Sequence, residues 1–196
     1  MRLPNKQIPN IIRFTVVGFL LHCFVMNPVF AAPPKHYPEP PETPERLFYV
    51  QHSGNPNTVI YDVRQNNKGK ILNKPVSIYW IRYNTNKERR DLNFLERTMA
   101  YGIEYEKLDN SQGYEINLIS YPNQSIHVFL DSQGKAFAQT KIKGELANLK
   151  RIYLTVDESG FLPKVKSFEI FGYSVKTNQA LIESVRPNDN SDSFDD

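Results

Sequence analysis

Disulfide chemistry has almost nothing to work with in this sequence. Its 196 residues hold one cysteine, Cys23, in an apolar stretch near the N-terminus. Everything downstream is without thiols, which removes disulfides, Cys-based zinc sites and Cys–His nucleophiles there. Tryptophan is as scarce, with Trp80 alone. The four histidines, His22, His36, His52 and His127, show no metal-ligand spacing. No H-E-x-x-H, G-x-S-x-G or phosphate-binding glycine loop occurs. No catalytic residue, metal ligand or cofactor is therefore assigned. Ser53 follows His52, but adjacent residues on a strand point apart, so the pair is not read as a dyad.

Net charge is missing too, once the N-terminus is set aside. Arg2, Lys6 and Arg13 account for the whole excess of 24 basic over 21 acidic residues. No interleaved basic and aromatic stripe points to nucleic acid. Lys6 and Arg13 precede the apolar run FTVVGFLLHCFVM, and Val29 and Ala31 form a small-residue cleavage site. Residues 1–31 are thus predicted to be a signal peptide cut after Ala31, with an exported product in the periplasm or outside the cell. The run is shorter than the roughly 20 residues of a membrane span, so no span is expected after cleavage. Lipidation at Cys23 is not expected either, because His22 stands where a small residue belongs.

What remains divides into three parts. Residues 32–45 carry six prolines and read as a proline-rich linker of polyproline type. Residues 187–196 are polar and acidic and read as a disordered tail. Their Asp189, Asp192, Asp195 and Asp196 lack the glycine and closing glutamate of a calcium loop. Between them, 46–186 is the size of one domain. Short β-rich runs recur there, among them RLFYVQH, NTVIYDVR, VSIYWIRY, YEINLIS and SFEIFGYSV. Turn signals such as QNNKGK, DSQGK and KG separate them. The expected fold is all-β and mainly antiparallel, a single β-sandwich or β-barrel-like domain.

One segment departs from this pattern. In RRDLNFLERTMAYG, Leu92, Leu95 and Met99 share a helical stripe, with Phe94, Thr98 and Tyr101 beside it. The spacing predicts one α-helix over 91–101, with Asp91 at its start and Gly102 as its stop. VSIYWIRY is apolar on both faces, which calls for a cover on each side. A symmetric hairpin about QNNKGK sets Ile60 opposite Trp80, Asp62 opposite Ile78 and Val59 opposite Ile81. In that register the helix is expected to cover the Trp80 face. A slip of one residue reverses the faces.

The candidate ligand-binding residues are Trp80, Arg82, Arg97 and Tyr101, at the expected helix–sheet junction. Arginine forks and aromatic faces suit anionic or carbohydrate-like ligands. Lys141, Lys143, Lys150 and Arg151 are expected to form a solvated face. The leading functional expectation is a non-enzymatic binding or interaction module of the bacterial envelope, with an envelope protein or small ligand as partner. A small-molecule or lipid carrier of barrel type is the alternative. An envelope-polymer hydrolase using paired carboxylates is the third.

The order LFYVQHSGNPNTVIYDVR, PVSIYWIRY, LNFLERTMAYG, closing with PKVKSFEIFGYSVKTNQALIE, resembles a secreted bacterial family, domain of unknown function 4833. The resemblance covers nearly all of Arg46 to Val185. It implies a bacterial exported protein and brings no activity, ligand or catalytic residue with it. A basic residue is expected more often at the position of His52, which argues against a catalytic histidine there.

Overall fold

The computed structural model describes residues 37–109, 112–157, 159 and 164–186. The expected signal peptide, residues 32–36 and the acidic tail lie outside them. Eleven strands form one sheet: β1 (Arg46–His52), β2 (Asn55–Gln65), β3 (Ile71–Arg82), β4 (Glu88–Asp91), β5 (Ile103–Lys107), β6 (Tyr114–Leu118), β7 (Tyr121–Leu130), β8 (Ala136–Ile142), β9 (Glu145–Asp157), β10 (Lys164–Ser174) and β11 (Ala180–Val185). Their order is β4-β3-β2-β1-β9-β8-β7-β6-β5, with β10 on the other side of β9 and β11 beyond it. The sheet is mixed and curls into a half-barrel. Among the described residues every pairing is antiparallel except β1 with β9. The β-rich expectation holds, and its form is one curled sheet.

Local chemistry sets the hairpins. Lys143 and Gly144 join β8 to β9 with φ of 53° and 77°. Two left-handed residues are what a tight hairpin matched to strand twist requires. The concave side is filled by side chains from nearly every strand. Phe48, Tyr61, Ile116, Ile126, Ile142, Ile152 and Ile170 are fully buried there, each aliphatic one contributing about 1.5–3 kcal/mol.

The β2–β3 register differs from the symmetric expectation by one residue. Val59 faces Trp80, Ile60 faces Tyr79 and Tyr61 faces Ile78. The shift arises past the loop, where Gln65 pairs with Ile71 but Val63 already pairs with Val76. The extra β3 residues include Pro75, which has no N–H for the ladder. Trp80 and Ile78 consequently join Val59 and Tyr61 in the main core, while Ile60 and Tyr79 join Tyr49 on the convex face.

The predicted helix is expected over the Trp80 face, where Leu92 and Tyr101 of that segment do join Trp80; the convex face has a different cover. It is the segment expected to be a spacer. Tyr37–Pro44 lie across the sheet as a strap. The Tyr37 ring stacks on Tyr153 at 6.4 Å, and its hydroxyl donates to Ser53 O at 2.8 Å. Gln51 Nε2 donates to Pro38 O at 3.0 Å, and Tyr83 OH donates to Glu39 O at 3.2 Å. Lys150 pairs with Glu42. Thus Lys150 and Arg151 are not part of a solvated face. Both are partly buried on or beside the strapped surface, and Arg151 reaches Glu169 at 3.5 Å.

The α-helix expected over 91–101 is barely present. Residues 88–91 are strand β4, and the helical segment shrinks to one π-helical turn, Glu96–Ala100, entered through Phe94 and Leu95. Of the predicted stripe, Leu92 is buried, but Phe94, Leu95 and Met99 are 77%, 63% and 69% exposed. Asp91 pairs with Tyr79 in the sheet instead of capping. The helical pattern loses because the edge of β3 offers residues 88–91 a ready ladder, and a short isolated helix has little to hold it.

On the convex face Arg46 donates from Nε to Asp62 Oδ1 at 2.6 Å, and Tyr79 OH donates to Asp62 Oδ2 at 2.6 Å. The Arg46 side chain is 4% exposed, so its charge depends on this partner. Asp62→Ala should therefore destabilise the protein by about 3–5 kcal/mol, the cost of an uncompensated buried charge. Urea unfolding checks this. A midpoint that hardly moves would show that the pair is not structural.

Candidate functional site

The rim of the half-barrel carries a cleft of about 560 Å³ lined by His52, Asn55, Asn57, Trp80, Arg82, Arg90, Glu96 and Tyr101. Each element delivers its residues for a local reason. The end of β1 brings His52, and the start of β2 brings Asn55 and Asn57. Trp80 and Arg82 alternate on one face of β3, and Arg90 stands opposite Trp80 in the β3–β4 ladder.

The turn that closes the cleft is pinned at both ends. Asn93 and Glu96 cap each other: Asn93 N donates to Glu96 Oε2 and Glu96 N donates to Asn93 Oδ1, both at 2.8 Å. This is a capping box with asparagine as cap. Arg90 Nη2 donates to Glu96 Oε1 at 2.5 Å. At the far end the buried Tyr61 hydroxyl donates to Tyr101 O at 2.8 Å. Gly102 fits there because a Cβ would stand 1.8 Å from Arg97 O. The Trp80 and Tyr101 rings meet edge to face at 5.1 Å, and His52 lies 6.2 Å from Trp80.

The electrostatics favour a ligand that accepts hydrogen bonds. The Trp80 indole nitrogen is buried and makes no full hydrogen bond; a weak one to the Glu96 carboxylate is among the causes that lower the Glu96 pKa. Among the described residues Arg82 has no carboxylate partner. Asn55 and Asn57 give their side-chain oxygens to Asn57 N and Asn84 N, which leaves their amide NH₂ groups as donors. Glu96 is the carboxylate in the cleft. Burial would raise its pKa, but hydrogen bonds from Arg90 and Asn93 outweigh burial and hold it below its ordinary value. Tyr101 is pushed up to about 12 by burial and then by the Glu96 charge, so its hydroxyl stays protonated.

Of the residues predicted to bind a ligand, the structure brings Trp80, Arg82 and Tyr101 together. Arg97 is exposed and outside the cleft lining. The short π turn presents Glu96 to the sheet in its place. Sequence reasoning missed His52, Asn55, Asn57, Arg90 and Glu96. The N-x-x-E spacing of Asn93 and Glu96 was a readable signal for the turn. The Ser53 hydroxyl is taken up by backbone: it accepts from Val156 N at 3.0 Å and donates to Val156 O at 3.4 Å. Among the described residues no group of three or more His, Cys, Asp or Glu is placed to hold a metal ion. No helix among them is long and apolar enough to cross a membrane.

These features define a class: an all-β half-barrel with a donor-rich cleft on its rim. A family model described as Domain of unknown function (DUF4833) matches residues 48–184, and the chain belongs to that family. The matched span includes every residue of the cleft. No curated protein and no solved structure matches the chain.

Two outcomes follow from the pinned turn. A carboxyl whose folded pKa is lowered stabilises the fold above its ordinary value, here 4.5, and loses that contribution as pH falls through the lowered value. The emission of Trp80 should therefore be steady down to about pH 5 and change below about 4.5. In Glu96→Gln the change should already be present at neutral pH. An acid response identical in the parent and Glu96→Gln would assign it to other groups. Gly102→Ala should cost about 1–3 kcal/mol through overpacking, read by thermal unfolding, and should shift Trp80 emission to the red. An unshifted spectrum would mean that the turn relaxes without moving Tyr101.

Proposed function

We propose that this chain is an exported, non-enzymatic binding module of the bacterial cell envelope, with the rim cleft as its site for an anionic or glycan ligand. The observation that carries this reading is the donor-rich lining of the cleft, where Arg82 has no carboxylate partner among the described residues and the Asn55 and Asn57 amides offer NH₂ donors. The Arg82 fork matches a carboxylate or phosphate, and the Asn55 and Asn57 amides suit hydroxyl or carbonyl oxygens. Glu96, already committed to Arg90 and Asn93, is a poor proton donor, so no observation favours the hydrolase reading.

The carrier reading keeps one supporting feature. Phe94, Leu95 and Met99 are exposed on the turn that borders the cleft, which fits a ligand with an apolar part. Against it, the concave interior is filled by side chains of the main core.

Trp80 is the single tryptophan, so its fluorescence reports on the cleft directly. Titration with soluble peptidoglycan fragments that carry free carboxylates should give a saturable change. Arg82→Ala should weaken binding at least about tenfold, roughly the worth of one charge-assisted hydrogen bond, without moving the thermal midpoint. Equal affinity in Arg82→Ala would remove the cleft as the site. Silence toward both the fragments and inorganic phosphate would remove the anionic ligand.

A further inference from the structure

The proline-rich strap seats on a surface that treats it as a ligand. A polyproline-type chain makes no internal hydrogen bonds and leaves its carbonyls open. Here side chains read those carbonyls: Gln51 donates to Pro38 O and Tyr83 to Glu39 O. Tyr153 stacks on Tyr37, and Pro40 is buried. Acidic positions are read as well. Lys150 pairs with Glu42, and Glu39 lies within electrostatic reach of Lys150 and Tyr49. Aromatic walls with donors for carbonyls are how proline-rich segments are recognised generally.

Two further observations bear on exchange. The first is unused donor capacity on the same face. Arg46 Nη1 and Arg151 Nε are buried without partners, and so is the strap's own Thr43 Oγ1. Arg151 stands beside Tyr49 in the β1–β9 register. The resident strap is thus an incomplete fit. The second is the hinge. A turn closed by Arg46 N donating to Thr43 O at 3.1 Å separates the strap from β1. Residues 37–42 can leave without unpairing any strand.

We propose that the convex face is a second binding site, a groove for an acidic, proline-rich segment of a partner protein, and that the chain's own Tyr37–Thr43 is the resident ligand that closes it in the free protein. The partner segment displaces the strap and supplies acceptors to Arg46 and Arg151.

The test uses the full chain and a fluorescein-labelled peptide of the strap's own sequence, YPEPPETPE, read by fluorescence anisotropy. Tyr37→Ala removes the Tyr153 stack and the Ser53 hydrogen bond. It should raise peptide affinity at least tenfold over the parent by weakening the competitor in cis. Adding Gln51→Ala should reverse that gain. Replacing the peptide's prolines with alanine, or its glutamates with glutamine, should weaken binding severalfold. Glu42→Gln, which frees only the Lys150 pair, should act in the same direction as Tyr37→Ala by a smaller factor, and it covers the case in which Tyr37→Ala does not fold. No binding to either strap variant, with circular dichroism showing both folded, would overturn the proposal. So would equal binding of the proline-free peptide, or indifference to Gln51→Ala. A dimer that grows with concentration, with no binding of free peptide, would overturn it in favour of strap exchange between copies.

Discussion

The fold turns on one strand shared by three neighbours. β9 pairs with β10 from Ala147 to Asp157 on one side. On the other side Glu145–Asn148 pair with β8 and Arg151–Leu154 pair with β1. The β1 pairing is parallel, so it links the first and ninth strands across about a hundred residues of chain. Such non-local pairings carry the largest closure entropy. Ser53 N and Ser53 Oγ extend the ladder by bonding Leu154 and Val156. Ala136 N donates to Pro44 O where β1 and β8 meet. Without this junction the β1–β4 and β5–β8 groups would be two separate antiparallel ribbons, each with an apolar face and nothing to bury it against.

The rim cleft and the strapped face both derive from that junction. The curl it imposes puts β1, β2 and β3 between two different covers. Their concave face holds Val59, Tyr61, Ile78 and Trp80 against the main core. Their convex face holds Tyr49, Ile60 and Tyr79 under the strap. The cleft forms where the concave packing runs out at the rim, and Tyr61 reaches through that core to hold Tyr101 O. The same strands thus support a polar cleft at one edge and a tyrosine-rich groove on the back.

Much of this was written locally. Lys143-Gly144, the alternation of Tyr114, Ile116 and Leu118, and the short turn-bounded runs identify strands and hairpins, because these depend on neighbours in sequence. Apolar residues on both faces of VSIYWIRY correctly implied two covers. Trp80, Arg82 and Tyr101 were legible as a cluster because one strand and the segment after it bring them together. The register was not legible, since the irregularity around Pro75 lies outside the loop from which a symmetric pairing is counted. The helix was misread because Leu92, Leu95 and Met99 do make a helical stripe, and only the free edge of β3 shows why residues 88–91 take the strand instead. Arg90 and Glu96 were missed as a pair because their meeting depends on that same edge pairing.

By itself, then, the sequence determined an all-β chain, the family to which it belongs, and an aromatic and arginine cluster around Trp80. These are properties of residue type and short spacing. Tertiary structure alone decided which side of β3 faces the core, that Glu96 and not Arg97 enters the cleft, and that a proline-rich segment is a strap. The physical reason is common to all three. Each is settled by a pairing that the helical or strand period does not encode: Val63 with Val76 for the register, Arg90 on the edge strand with Glu96 for the turn, and Gln51, Tyr83 and Lys150 for the strap. Local periodicity holds no record of where such partners lie.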